Sequence, residues 1–192
     1  MSARLATGIA IGLLLTGCAS GPQLANDEAL IAPRTAFVVP PPAADAESKT
    51  IAQSIVAHYR DQSFTFAAQI QIAPQDFDLV ALDGLGRRAL TVHWTAGKMD
   101  FQAAPWLPPL MRPADILADI AIVYGPEHDV AQSVARSGAT LTTTPRARTI
   151  AKGNRKLIVV DYGDGEGWDR SAKLRNLAFG YEIDIRSTDA EP

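Results

Sequence analysis

From Phe64 onward the chain alternates. Phe64, Phe66, Ala68, Ile70 and Ile72 are separated by Thr65, Ala67, Gln69 and Gln71, the period of two expected of a strand with one buried face. Pro74 to Asp76 predicts a turn, Phe77 to Leu82 a second strand, and Asp83, Gly84, Leu85 and Gly86 a tight hairpin connection. Leu90, Val92 and Trp94 alternate along a third strand, Thr95 to Gly97 turn again, and Met99 and Phe101 begin a fourth. The apolar, proline-laden run from Pro105 to Met111 cannot extend that ladder.

The period then changes. Pro113 suits a helix start, and Ile116, Leu117, Ile120, Val123 and Tyr124 follow helical spacing until Gly125 and Pro126. Asp129 to Arg136 predicts a further helical turn. Strands return at Arg146 to Ile150 and Leu157 to Tyr162, joined through Gly153 and Asn154, and the chain closes with Lys173 to Ala178 and the alternating Tyr181, Ile183 and Ile185. Upstream, Thr50 to Gln53 has capping-box spacing and Ile51, Ile55, Val56 and Tyr59 share a helical face, which predicts a short amphipathic helix. Strands, helices and strands again predict an α+β domain: a curved antiparallel sheet with helices covering one face.

The N-terminus has a different organisation. Arg4 is followed by an apolar segment from Leu5 to Leu15, too short to span a bilayer, and then by Thr16, Gly17 and Cys18. This run, L-T-G-C, resembles a bacterial lipoprotein signal. The resemblance implies a signal peptide over residues 1–17 and an acylated Cys18 carrying diacylglycerol and an N-acyl chain. Ala19, where Asp would favour inner-membrane retention, implies an outer-membrane destination. Residues 18–49, interrupted by Pro22, Pro33, Pro40, Pro41 and Pro42, read as a tether, with the folded domain over residues 50–188.

Composition narrows the function. With 47% hydrophobic residues the chain is not disordered, and a net charge of -3 with scattered basic residues argues against nucleic acid. No G-x-S-x-G nucleophile motif occurs, and the single cysteine belongs to the anchor, so no enzyme chemistry is expected. His58, His93 and His128 lack the paired spacing of a zinc motif, and no metal or cofactor beyond the acyl chains is expected. Asp161, Asp164, Glu166 and Asp169 lack the order of a calcium loop and read as a solvated hairpin loop.

Five stretches carry a second resemblance: F-x-F-x-x-Q (Phe64 to Gln69), F-D-L-V-A-L-D-G-L-G (Phe77 to Gly86), L-P-P-L (Leu107 to Leu110), I-L-A-D-I (Ile116 to Ile120) and G-Y-E-I-D-I (Gly180 to Ile185). Together they resemble a bacterial lipoprotein family of unknown function that accompanies aryl polyene pigment clusters, and more remotely the lipoprotein localisation factors LolA and LolB. That resemblance implies a half-open barrel whose concave face, covered by helices, shelters a hydrophobic ligand: an acyl chain, a lipid or a lipidated partner. The implied lining is Phe64, Phe66, Ile70, Trp94, Phe101, Trp106, Ile116 and Ile120. It also implies a membrane-inserting turn at Leu85, flanked by Gly84 and Gly86, with Gly84 standing where LolB has proline. The other reading is a non-catalytic structural or assembly lipoprotein with a packed core, because the same apolar residues would fill one.

Overall fold

The computed structural model describes residues 27–95, 98–107 and 112–188. The signal segment and Cys18 lie outside the described residues. In chain order the elements are strands β1 (Glu28–Ala32), β2 (Thr35–Val38), β3 (Lys49–Tyr59), β4 (Gln62–Ala73), β5 (Asp76–Asp83), β6 (Arg88–Thr95) and β7 (Lys98–Ala103). Helices α1 (Pro113–Tyr124) and α2 (Glu127–Ala135) follow, then β8 (Thr140–Thr144), β9 (Ala147–Lys152), β10 (Arg155–Tyr162), β11 (Ala172–Asn176) and β12 (Tyr181–Thr188).

The larger sheet has ten strands in the order β7-β6-β5-β4-β3-β12-β11-β10-β9-β8, paired antiparallel throughout. The first five strands run outward to one edge. The helices carry the chain to the other edge, and the last five return until β12 zips onto β3 in the centre. The sheet is curved and does not close, since β7 and β8 remain separate edges. This is the α+β architecture expected from the alternation.

Side-chain alternation sets the two faces of the sheet. Along β4, Phe66, Ala68 and Ile70 are buried while Thr65, Ala67, Gln69 and Gln71 are exposed. Helix α1 starts on Pro113, with Asp115 in its first turn favourably placed for the helix dipole. The Arg112 guanidinium donates to Asp115 at 2.7 Å and to the Glu28 carbonyl at 3.1 Å, tying the helix start to β1. At Gly125 a Cβ would lie 2.5 Å from the Ala121 carbonyl oxygen, so the helix end requires glycine.

Polar side chains of the sheet and helices hold this covering layer in place. Tyr162 donates to the Val123 carbonyl at 2.6 Å, and Arg148 donates to the carbonyls of Ile122 and Gly125 at 3.0 and 2.8 Å. Ser133 on α2 donates to the Val38 carbonyl at 2.7 Å, and the buried Asn176 amide donates to the Ile31 carbonyl at 3.1 Å. Each bond satisfies a main-chain carbonyl.

Two sequence expectations change, and one strand lies where none is predicted. The segment from Thr50 to Tyr59 is the central strand β3 and not a helix. Ile51, Ile55 and Tyr59 are spaced by four residues, which satisfies both a helical period and a period of two. Pairing on both sides, with β4 and β12, decides the matter. The inward residue between Ile51 and Ile55 is Gln53, buried because its amide donates to the Tyr124 hydroxyl at 3.0 Å and the Ser187 hydroxyl at 3.3 Å.

The tether reading of residues 18–49 also fails over part of its length. β1 and β2 form an antiparallel hairpin whose Ala29, Ile31, Ala32 and Phe37, with Val39 just beyond, join the main core. The prolines fall at its turn and beyond its end, at Pro33 and Pro40 to Pro42, where they break no ladder. Finally, Thr140–Thr144, where no strand is predicted above, forms edge strand β8 through pairing with β9. Its four threonines around Leu141 carry β propensity but almost no apolar period.

Candidate functional site at the partly covered end of the concave face

Strand register places one row of small and large apolar side chains side by side. Phe64 on β4 faces Ala57 on β3, and Ala57 faces Ile183 on β12. All three sit on the inward face and are only half-buried, whereas Phe66 and Ile185 in the next row are buried. The Phe64 and Phe66 rings lie parallel, 6.5 Å between centroids. One row further out, Tyr59 pairs with Tyr181. At the β3–β4 turn end, therefore, the inner face is apolar and incompletely covered.

Helix α1 brings the polar group of this region. The Tyr181 hydroxyl donates to the Asp119 carboxylate, 2.9 and 3.0 Å from its two oxygens. Burial pushes Asp119 up to about 7, the Asp115 charge adds to the rise, and the Tyr181 hydrogen bond opposes it. The Tyr181 phenol is likewise raised well above its ordinary value by burial and by the Asp119 charge. Ile116 and Ile120, three residues before and one residue after Asp119, are half-buried on the same helix. The arrangement sets one polar pair beside an apolar, half-covered surface.

The sequence-predicted lining divides in three. Phe64 lies in the half-covered row, Ile116 and Ile120 are half-buried on α1, and Phe101 is half-buried on edge strand β7. Phe66, Ile70 and Trp94 are buried in the continuous core. Trp106 is 41% exposed and lies under the Arg87 guanidinium, 5.3 Å from the ring centroid, where the chain leaves the sheet after β7 beside the β5–β6 turn. Tyr181 and Asp119 carry no joint signal in the sequence, since 62 residues separate them and the packing of helix α1 on the sheet brings them together.

The turn at Leu85 is well defined. Leu85 is 80% exposed, and Gly86 has φ +76°, a backbone conformation that favours glycine. Asp83 organises the turn by accepting from the Leu85 and Arg87 main-chain N–H groups, each at 2.9 Å, and from Arg87 Nε at 2.8 Å. Desolvation works against the charge on Asp83, but these bonds from Arg87 and Leu85 outweigh it and hold the carboxyl below its ordinary range. A Cβ on Gly84 would meet nothing within 4 Å, so the departure from proline there leaves the turn intact.

A separate open cavity of about 320 Å³ lies between β10, β11 and β12, lined in part by Asp161, Gly163, Ser171, Lys173, Asp184 and Arg186. Its charged wall suits water and ions better than an acyl chain. The same register that builds the sheet also sets His58 near Asp184, at 3.8 Å, and His93 beside Asp78, at 2.6 Å. The His93 imidazole is raised above its ordinary value by the hydrogen bond and charge of Asp78, with Asp76 and Asp100 adding to the effect against desolvation.

A curved, unclosed antiparallel sheet with two helices and a hairpin over its concave face defines an α+β half-barrel with an apolar inner surface. The chain belongs to the DUF3261 family of proteins of unknown function, which it matches over residues 50–189. The β1–β2 hairpin lies before that matched region. A search of curated proteins finds no sequence match. Among solved structures, a domain described as an outer membrane lipoprotein-sorting protein from Vibrio parahaemolyticus is similar at 10% identity and a TM-score of 0.34, covering 73% of this chain and 83% of that one.

Proposed function

We propose that this protein is a non-catalytic, outer-membrane lipoprotein, anchored through acylated Cys18 at the periplasmic face, that binds or transfers a hydrophobic ligand in its half-barrel. The observation that carries the reading is the half-exposed inner row Phe64, Ala57 and Ile183, flanked by the Tyr181–Asp119 pair. Apolar surface left partly open on an inward face gains free energy when an acyl chain covers it, at about 25 cal/mol per Å². The natural occupant is an acyl chain, a lipid or a lipidated partner.

Native mass spectrometry of the full chain released from membranes tests this directly. The expected result is a lipid-sized adduct that Ile183→Trp, which fills the row, reduces several-fold. A wild-type spectrum without any adduct, together with no uptake of a fluorescent fatty acid, favours the packed-core assembly lipoprotein. That second reading draws on the complete enclosure of Ile70, Ile122, Ile158 and Leu174.

Membrane attachment follows from the signal sequence. Cys18→Ser is expected to leave the protein as a soluble or uncleaved precursor, because two or more acyl chains are needed for stable anchoring. Fractionation with mass analysis of the N-terminal peptide checks this; wild-type protein free in the periplasm without a lipid increment on Cys18 contradicts it.

In the same reading, Leu85 and Trp106 form a contact point for lipid, with Arg87 between them. Burial of one leucine contributes roughly 1.5 to 3 kcal/mol, enough for transient contact. Leu85→Glu is therefore expected to weaken transfer of a fluorescent lipid to liposomes about tenfold. Its effect on stability should stay within about 0.5 kcal/mol, as for other exposed turn positions. Unchanged transfer, or an unfolded variant, removes Leu85 from the function.

A further inference from the structure

The convex face of β5, β6 and β7 gathers one imidazole and three carboxylates. Asp78 is the direct cross-strand partner of His93, and His93 is the direct partner of Asp100, while Asp76 lies two residues along β5 on the same face. Direct partners on one face hold their Cβ atoms about 5 Å apart, so the backbone itself enforces the grouping. His93 Nδ1 is 2.6 Å from Asp78 Oδ1 and 3.6 Å from Asp76 Oδ1. One donor atom from each of Asp76, Asp78 and His93 lies within 4.8 Å of the other two.

Charge balance distinguishes this cluster from its counterpart on the same face. Around His58, Glu182 and Asp184, the Lys173 ammonium sits 2.6 Å from Glu182 and 3.0 Å from Asp184, so a cation is already built in. Around His93, Lys98 pairs with Asp100 at 2.8 Å. Among the described residues no lysine or arginine pairs with Asp76 or Asp78. The Asp76 side chain is 41% exposed, while its Oδ1 is shielded from solvent and has no hydrogen-bond partner, His93 Nδ1 standing 3.6 Å away. A shielded carboxylate oxygen without a donor is costly, and a cation would satisfy it.

We propose that Asp76, Asp78 and His93 form a site for a divalent transition-metal ion of the zinc class on the convex face of the sheet. One imidazole nitrogen and two carboxylate oxygens suit zinc, whereas calcium and magnesium favour larger all-oxygen sets. Bonds of about 2.0–2.1 Å in a tetrahedral site put neighbouring donor atoms about 3.3 Å apart. The Asp76–His93 separation is already close to that. Asp78 must draw back by less than about 1 Å to meet the same ideal spacing, exchanging its hydrogen bond for a metal bond. Its side chain is 43% exposed and free to do so. The fourth position stays open to water or to a donor atom from a partner.

The test is a calorimetric titration of zinc chloride into the EDTA-treated full chain, in detergent and a non-chelating buffer. One equivalent is expected to bind. His93→Ala and Asp76→Asn are each expected to weaken binding at least tenfold with unchanged circular dichroism, while Asp184→Asn in the other cluster leaves it unaltered. Cobalt(II) in place of zinc should give the visible absorption bands of a four-coordinate ion, lost in His93→Ala. Absence of saturable binding overturns the proposal. So does an isotherm that survives both His93→Ala and Asp76→Asn, or one lost on Asp184→Asn instead.

Discussion

Phe37→Ala is expected to lower the unfolding free energy by about 3–5 kcal/mol, the range for truncating a buried phenylalanine and leaving its cavity. Phe37 is 0% exposed in β2 and belongs to the same core as Ile158, Leu174 and Val134. Ordinary domains hold only about 5–15 kcal/mol in total, so the loss is a large share of the whole. Urea denaturation of the full chain should show a much lower midpoint with little change in slope. Pro41→Ala, in the exposed segment after β2, is the matched control and should move stability by no more than about 0.5 kcal/mol. If residues before Thr50 were only a spacer, the two variants would behave alike.

Asp119→Asn is expected to stabilise the protein at pH 8 by about 2 kcal/mol and to flatten its pH dependence. Asp119 is raised to about 7 in the folded protein, mainly by burial, from an ordinary value of 3.8. The folded state therefore holds a proton that the unfolded state releases. Its contribution is fully present below pH about 4 and is lost as pH rises through about 7, because stability falls wherever the folded state binds more protons. A full three-unit shift would correspond to about 4 kcal/mol, and partial exposure of Asp119 reduces this. Asparagine keeps an acceptor for the Tyr181 hydroxyl without the charge. Urea midpoints at pH 5 and pH 8 measure the effect: the wild type should be less stable at pH 8 relative to the variant, and equal behaviour would mean that Asp119 is ordinary.

Local pattern was enough for the elements whose burial is one-sided and whose neighbours are close in sequence. β4, β5 and β6 follow from the alternation of Phe64 to Ile72, Phe77 to Leu82 and Leu90 to Trp94, and α1 follows from Pro113 and the Ile116-to-Tyr124 spacing. The exposed hairpin tip at Leu85 was legible too, because Asp83 and Gly86 are the residues such a turn requires. From these pieces the α+β class and the open antiparallel sheet could be read.

Long-range pairing decided the rest. β3 carries spacings compatible with either period, and its inward Gln53 becomes tolerable only when Tyr124 and Ser187 accept its hydrogen bonds. The β1–β2 hairpin is too short and proline-flanked to announce itself, and gains its stability by burying Ile31 and Phe37 beneath helices that lie far along the chain. β8 has almost no apolar signal and exists because β9 offers an unpaired edge. The His93 cluster depends on strand register, which aligns residues 15 and 7 positions apart, and the Tyr181–Asp119 pair, 62 positions apart, depends on where helix α1 packs. Hydrophobic periodicity states which side of an element is buried; which elements meet, and so which polar groups share a site, is fixed by how the ten strands close on one another.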